Sequence, residues 1–264
     1  MAKLHGPFGF NGRLKGLSAY TMQGCEGIIL RTPYGPSKED IKTKPSYDIT
    51  RRNNREFGGR STAVKWIRKV LHPLKPLFDH NLSAPLNALL KSIQEMDRQS
   101  EFGQRPVRLS LAPQLLEGFT LNRRHPFDSM VRNPVGCRLL RESLSAVVEF
   151  PALLPSLTFF PAGSHPYYRL MMVLGVVPDL YCASPLYRPR DDYSPVIAQA
   201  VQTEWYPVKG GSPALSLELQ LPVAPPDNDF SLMLAVGVGM GVVGTAGSIT
   251  EVRYAGSGKI LAVR

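Results

Sequence analysis

Leu215-Ser-Leu217-Glu-Leu219-Gln-Leu221 alternates apolar and polar residues without a break. Successive side chains of a strand point to opposite faces, so this period of two describes a strand with one dry face. The same texture surrounds it. After Cys137, short apolar runs recur at 144–150, 157–160, 168–177, 196–206, 214–221, 230–243, 249–254 and 260–263. Turn chemistry separates them, as in Pro161-Ala-Gly163, Pro189-Arg-Asp-Asp192, Gly210-Gly-Ser-Pro213, Pro225-Pro-Asp-Asn228 and Gly256-Ser-Gly258. Such short connections leave no room for crossover helices, so the strands pair antiparallel. About eight strands of this kind predict a β-sandwich, Ig-like or jelly-roll-like in layout.

Upstream, the period changes. Residues 4–17 hold Gly6, Gly9, Gly12 and Gly16 and read as an extended arm. Two β-prone runs, 18–22 and 28–32, flank Gln23-Gly-Cys-Glu-Gly27 and predict a hairpin. Helical character starts near Pro45-Ser46, and Gly58-Gly59 interrupts or ends it. Ala63, Val64, Ile67, Val70, Leu71 and Leu74 follow three- and four-residue spacing, with Ser61 as the cap. A further helix, capped by Ser83, puts Leu86, Leu89, Leu90, Ile93 and Met96 on one stripe and Lys91, Gln94, Glu95 and Arg98 opposite. Residues 101–135 read as short helical turns and loops. The expectation is an α+β chain. A basic N-terminal hairpin-plus-helices part spans 1–135, and an antiparallel β-sandwich spans 136–264.

Charge follows the same division. Residues 1–132 hold 22 Lys+Arg against 11 Asp+Glu, whereas the remainder holds 9 against 10. The net +10 therefore sits wholly in the first half. At 43% apolar and 20% charged the chain is globular rather than disordered. Cys25, Cys137 and Cys182 are too few and too far apart for a disulfide scaffold, so free thiols are expected. The first residues carry no apolar h-region, and the longest apolar run, Phe230–Val243, is 14 residues with three glycines. No membrane span is expected, since about 18 apolar residues are needed, and a cytoplasmic location follows, with non-classical export as the other route.

The motifs that suggest chemistry fail on context. Gly239-Met-Gly-Val-Val-Gly244 spells the dinucleotide fingerprint, but too little chain follows it for a βαβ unit. A Gly-rich strand with a bulge or close sheet packing fits better. Gly256-Ser-Gly-Lys259 lacks the phosphate loop's earlier glycine and its following Ser or Thr, positions held by Arg253 and Ile260. The histidines His5, His72, His80, His125 and His165 are scattered, and no cysteine pair has metal-ligand spacing. No metal or cofactor is expected, and no catalytic residue stands out.

One cluster carries functional weight. Arg51, Arg52 and Arg55 lie within about a turn and a half of helix, followed by Arg60, Lys65, Arg68 and Lys69, and further on by Arg123-Arg124. Such a face suits phosphates. Arginine's planar fork equally suits carboxylates and carbonyls of a protein partner or of the same chain. Two asparagines and Glu56 stand among the first arginines, which makes the segment a hydrogen-bonding face as much as a cationic one. Protein contacts are the favoured reading for Arg51, Arg52, Arg55, Arg60, Arg68, Lys69, Arg123 and Arg124.

Gly12-Arg-Leu-Lys-Gly-Leu-Ser-Ala-Tyr20, Ile28-Ile-Leu-Arg31 and Thr50-Arg-Arg-Asn-Asn-Arg-Glu-Phe57 resemble a family of uncharacterised Bacteroidota proteins, as do Pro151-Ala-Leu-Leu-Pro155, Pro161-Ala-Gly163 and Val177-Pro-Asp179. The resemblance implies the basic-helical-then-β layout and assigns no activity. The expected function is that of a non-enzymatic structural or protein-interaction protein that self-associates. The alternative is a nucleic-acid-binding protein using the basic helices. A hydrolase with a site assembled in space from the β part is the third class.

Overall fold

The computed structural model describes residues 2–4, 10–22, 26–32, 35–193, 198–244 and 247–264. The chain divides into two compact units, Met1–Arg51 and Arg52–Arg264.

In the first unit β1 (Ala2–Leu4), β2 (Gly12–Leu14), β3 (Leu17–Tyr20) and β4 (Ile28–Arg31) form one antiparallel sheet in the order β1-β4-β3-β2. The expected hairpin is there, with Ser18 opposite Arg31 and Tyr20 opposite Ile29; residues 23–25 of its loop lie outside the described residues. Part of the expected arm is drawn into this sheet. β2 pairs with β3 across Lys15-Gly16, both at positive φ, as a two-residue hairpin turn requires. Residues 5–9 of the arm lie outside the described residues. Next comes α1 (Lys38–Thr43), opened by a capping box in which Ser37 Oγ accepts from the Asp40 N–H and Asp40 accepts from the Ser37 N–H.

The boundary between the units falls within α2 (Asp48–Val70). This helix runs unbroken through Gly58-Gly59, contrary to the interruption expected from sequence, and needs no cap at Ser61. The reason is packing. Glu56, Gly59, Ala63, Val64, Ile67 and Val70 form its buried stripe. At Gly59 the Tyr187 ring sits where a side chain would be, 2.7 Å from an ideal Cβ. In α3 (Ser83–Glu95), Leu86, Leu90 and Ile93 are buried as expected and Lys91 and Arg98 are exposed, but Leu89 is only partly buried. Met96 lies past the helix end and is 51% exposed. Gln94, expected on the polar face, is buried because Arg60 and the Arg105 carbonyl hydrogen-bond its amide. Ser83 is the first residue of the helix rather than its cap: the N-cap is Leu82, which makes no side-chain cap hydrogen bond, and the Asn81 Oδ1 one position earlier accepts from the Ser83 N–H. A short α4 (Phe127–Met130) follows.

The remaining strands are β5 (Gly136–Leu140), β6 (Ser145–Phe150), β7 (Tyr167–Pro178), β8 (Tyr181–Ala183), β9 (Leu186–Arg188), β10 (Gln199–Gln202), β11 (Tyr206–Pro207), β12 (Leu215–Gln220), β13 (Phe230–Val243) and β14 (Ile249–Val263). All pair antiparallel. A five-stranded sheet runs β10-β7-β13-β14, with β11 also on β7, and a three-stranded sheet runs β12-β6-β5. The run at 157–160 makes only single bridges, because Phe159 is turned into the core instead. The run at 196–206 is split where the Thr203 hydroxyl takes a ladder position against the Leu170 N–H; residues 196–197 lie outside the described residues.

Two cores explain the continuous apolar reading of β7 and β13. Leu170, Met172, Leu174 and Val176 of β7 and Leu232, Leu234, Val236 and Val238 of β13 face the three-stranded sheet, where Ala146, Val148 and Phe150 of β6 meet them. Met171, Val173 and Val177, with Met233 and Ala235, face the helices and meet Ile67, Val70, Leu74, Leu77, Leu86 and Leu90. Leu217 and Leu219 of the alternating run are partly buried on the first of these cores, as their period predicts. The helical layer approaches the sheet at glycines: ideal Cβ atoms at Gly175, Gly237 and Gly256 would lie 2.6 Å from Val70 or Leu77 side chains.

The two adjacent helix glycines should respond with opposite signs. Nothing lies within 4 Å of a Cβ at Gly58, so Gly58→Ala should stabilise by about 0.5–1 kcal/mol. Gly59→Ala meets Tyr187, whose hydroxyl is tied to the Arg105 carbonyl, and should destabilise by about 1–3 kcal/mol. Urea midpoints of the two variants decide this, and a shift of both in one direction would refute the packing.

Candidate functional site

The outward face of α2 carries the site. Phe57, Ser61, Lys65, Arg68 and Lys69 recur at three- and four-residue spacing along this side of the helix, with buried Val64 at its inner edge and His72 just past the helix end. Together with Lys75, Phe78, Ser83 and Asn87, the last two on α3, they line a groove of about 480 Å³. Its floor is apolar, built from buried Val64 and half-buried Phe78, with the exposed Phe57 ring at its side. Its rim is cationic, and no carboxylate lines it. Lys65, Arg68, Lys69 and Lys75 make no ion pair among the described residues. Arg68 donates to Ser83 Oγ at 3.2 Å, and the Lys69 ammonium lies 4.2 Å from the Trp66 ring centroid. The Asn87 Oδ1 is an acceptor with no partner among the described residues.

The other basic residues singled out by sequence are placed elsewhere. Arg51, in the first unit, donates to the Ile41 and Lys44 carbonyls at 2.8 and 2.9 Å, closing the end of α1, and pairs with Asp48. In the second unit Arg52 pairs with Glu101 at 2.6 Å, and Arg60 donates to Gln94. Arg55 is half-buried on α2. Arg123 and Arg124 have exposed side chains, and it is their backbone N–H groups that bind the Asp79 carboxylate. Of the cluster, then, Arg68 and Lys69, with Lys65, come together in the groove. His72, Lys75, Phe78 and Asn87 were missed. Lys65, Lys69 and His72 continue one helical stripe, which the sequence did display, whereas Phe78 and Asn87 arrive through the turn and α3 and leave no local signal.

The inward side of α2 holds a buried ion pair. Glu56, 2% exposed, accepts from Arg105 Nε and Nη2 at 2.7 Å each and from the Gly103 N–H at 2.9 Å. Burial pushes its carboxyl up, but the Arg105 fork, the Gly103 N–H and the charges of Arg105 and Arg60 outweigh burial and hold it below its ordinary value. Near β8 a second polar group is closed on itself: Asp179 accepts from the Ser110 N–H and hydroxyl, while Tyr181 and Arg190 both bind Asp229. Burial first, then Asp229, pushes the Tyr181 phenol up to about 12. Among the described residues no three His, Cys, Asp or Glu side chains converge as metal ligands, and no helix is long and apolar enough to cross a membrane.

No protein-family model, curated protein or solved structure matches this chain.

Glu56→Gln leaves the Arg105 guanidinium without its carboxylate and should cost about 3 kcal/mol at pH 7. A carboxyl lowered by folding stabilises above its unfolded-state value of 4.5, and this contribution is lost as pH falls through the folded-state value. The gap between wild type and variant in urea unfolding should therefore be constant from pH 7 to about 5 and close below about 4.5. A gap that widens on acidification would contradict the assignment.

Proposed function

We propose that this chain is a non-enzymatic protein-interaction protein and that the groove beside α2 takes an acidic segment of a partner protein. The observation that carries this reading is the pairing of a cationic rim that holds no carboxylate with an apolar floor. Four cations, Lys65, Arg68, Lys69 and Lys75, stand around Phe57, Val64 and Phe78. Carboxylates satisfy the rim, and apolar side chains between them desolvate the floor. A nucleic-acid duplex, with its bases stacked inward, meets the first demand and leaves the second unmet. A single strand meets both by stacking bases on Phe57 and Phe78 and is therefore the competitor in the test below. Nucleic-acid binding remains the competing reading, since the rim's charge serves phosphates as well. Free Cys137 and Cys182 suit a reducing, cytoplasmic setting.

The test is fluorescence anisotropy of a labelled glutamate-rich peptide at low salt. Binding should weaken at least about tenfold in a Lys65→Glu/Lys69→Glu variant and fall with added salt. Light scattering in the same buffer reports whether the acidic segment comes from a second copy. A single-stranded oligonucleotide that binds more tightly than the peptide, and loses that affinity in the same variant, would overturn the reading in favour of nucleic acid.

A further inference from the structure

The groove does not end at Lys75. His72 and Lys75 also border a second hollow of about 430 Å³, completed by Pro73, Pro76, Arg253 and Tyr254. The last two residues come from β14, at a place where its ladder with β13 breaks. Val238 pairs with Ser257 and Met240 with Val252, so residues 253–256 oppose Gly239 alone. Extra residues on one strand form a bulge, which re-aims side chains away from the sheet.

This bulge is tightly held. Tyr254 has φ 65, in the left-handed region that a bulky residue occupies at a cost. Its carbonyl and that of Gly256 lie in the bulge and accept from the Asn122 amide, at 3.2 and 2.8 Å; Asn122 is fully buried. At Gly256 an ideal Cβ would lie 2.1 Å from the Val238 carbonyl oxygen, so only glycine fits there. The outcome of this local order is a tyrosine 57% exposed beside two proline rings, with an arginine next to it, at the end of the cationic groove.

We propose that the bulge is a second subsite of the same groove, seating one aromatic or large apolar side chain that adjoins the acidic stretch of the partner segment. The inference rests on the acidic-partner reading above. Tyr254, Pro73 and Pro76 form an apolar wall for that side chain, and Arg253 extends the rim of positive charge past Lys75. The scale agrees: from Lys65 to His72 the helix climbs roughly 10 Å, which about three extended peptide residues span. The recognised motif is then a run of about four acidic residues with the anchor two or three residues beyond it.

The experiment compares two labelled peptides, Glu-Glu-Glu-Glu-Ser-Ser-Trp and the same peptide with Ser in place of Trp, each in both chain directions. They are titrated into wild type, Tyr254→Asn and Lys65→Glu/Lys69→Glu. Asparagine tolerates the left-handed backbone, so Tyr254→Asn keeps the bulge while removing the ring, and an unchanged urea midpoint verifies this. In at least one direction the Trp peptide should bind wild type about tenfold or more tightly than its Ser counterpart. That advantage should vanish in Tyr254→Asn, whose affinity for the Ser peptide stays at the wild-type level. Equal binding of both peptides to wild type, lost in the double Lys variant, overturns the second subsite and leaves the groove standing. Binding of neither peptide at low salt overturns both.

Discussion

Strand β13 must be covered on both faces, and the second unit is arranged around that demand. Every residue from Phe230 to Gly241 is buried. Its even positions face the three-stranded sheet, and Met233, Ala235 and Gly237 face the helical layer. Neither cover alone keeps the strand dry, so the helices, the central sheet and the small sheet form three layers that stabilise one another. On the helical side the contact is close because Gly237 of β13, Gly175 of β7 and Gly256 of β14 present no side chain. Leu77 and Val70 occupy that space. The first two glycines that spell a nucleotide motif in the sequence, Gly239 and Gly241, belong to this strand, and Gly244 follows its end. Gly239 is backed by Glu251 and Gly241 by Trp205.

The same demand sets the polarity of α2. Its inward stripe is fixed by the core, so Lys65, Arg68 and Lys69 are left on the outside. The neighbouring arginines were absorbed into the fold. Arg52 and Arg105 tie α2 to the loop at 101–105, and Arg60 ties it to α3 through Gln94. An arginine fork that is already matched to a carboxylate or an amide oxygen has little left to offer a partner. The cations of the groove differ in that the rim around them supplies no acid, and this contrast within one helix separates the structural arginines from the candidate site.

The architecture was legible where periodicity was strong. The alternation at 215–221, the two-sided apolar run at 230–243 and the stripe of Leu86, Leu90 and Ile93 each state which faces are buried. Features decided by distant residues were not legible. Gly58-Gly59 reads as a break, and only the Tyr187 ring, far along the chain, makes the second glycine a packing requirement. Gln94 reads as surface until Arg60 and Arg105 arrive. Phe159 reads as strand until the core claims it. The groove was half legible: the helical spacing of Lys65, Lys69 and His72 was on view, whereas Phe78, Asn87 and the β14 bulge depend on tertiary neighbours.

A surface residue at positive φ persists only when its surroundings over-determine it. Tyr254 meets that condition through the core, not through the surface. Asn122 is fully buried, holds the Leu77 carbonyl as well as those of Tyr254 and Gly256, and caps the His125 N–H with its oxygen. One side chain therefore locks the turn after α2, the loop at 122–125 and the bulge in β14 together. The aromatic end of the groove and its cationic body, which approaches through His72 and Lys75, are fixed to each other by a buried hydrogen-bond network rather than by a mobile loop. Little ordering of the protein then opposes binding, so a partner segment meets a preformed surface and its charge and anchor contacts are not offset by rearrangement of the groove.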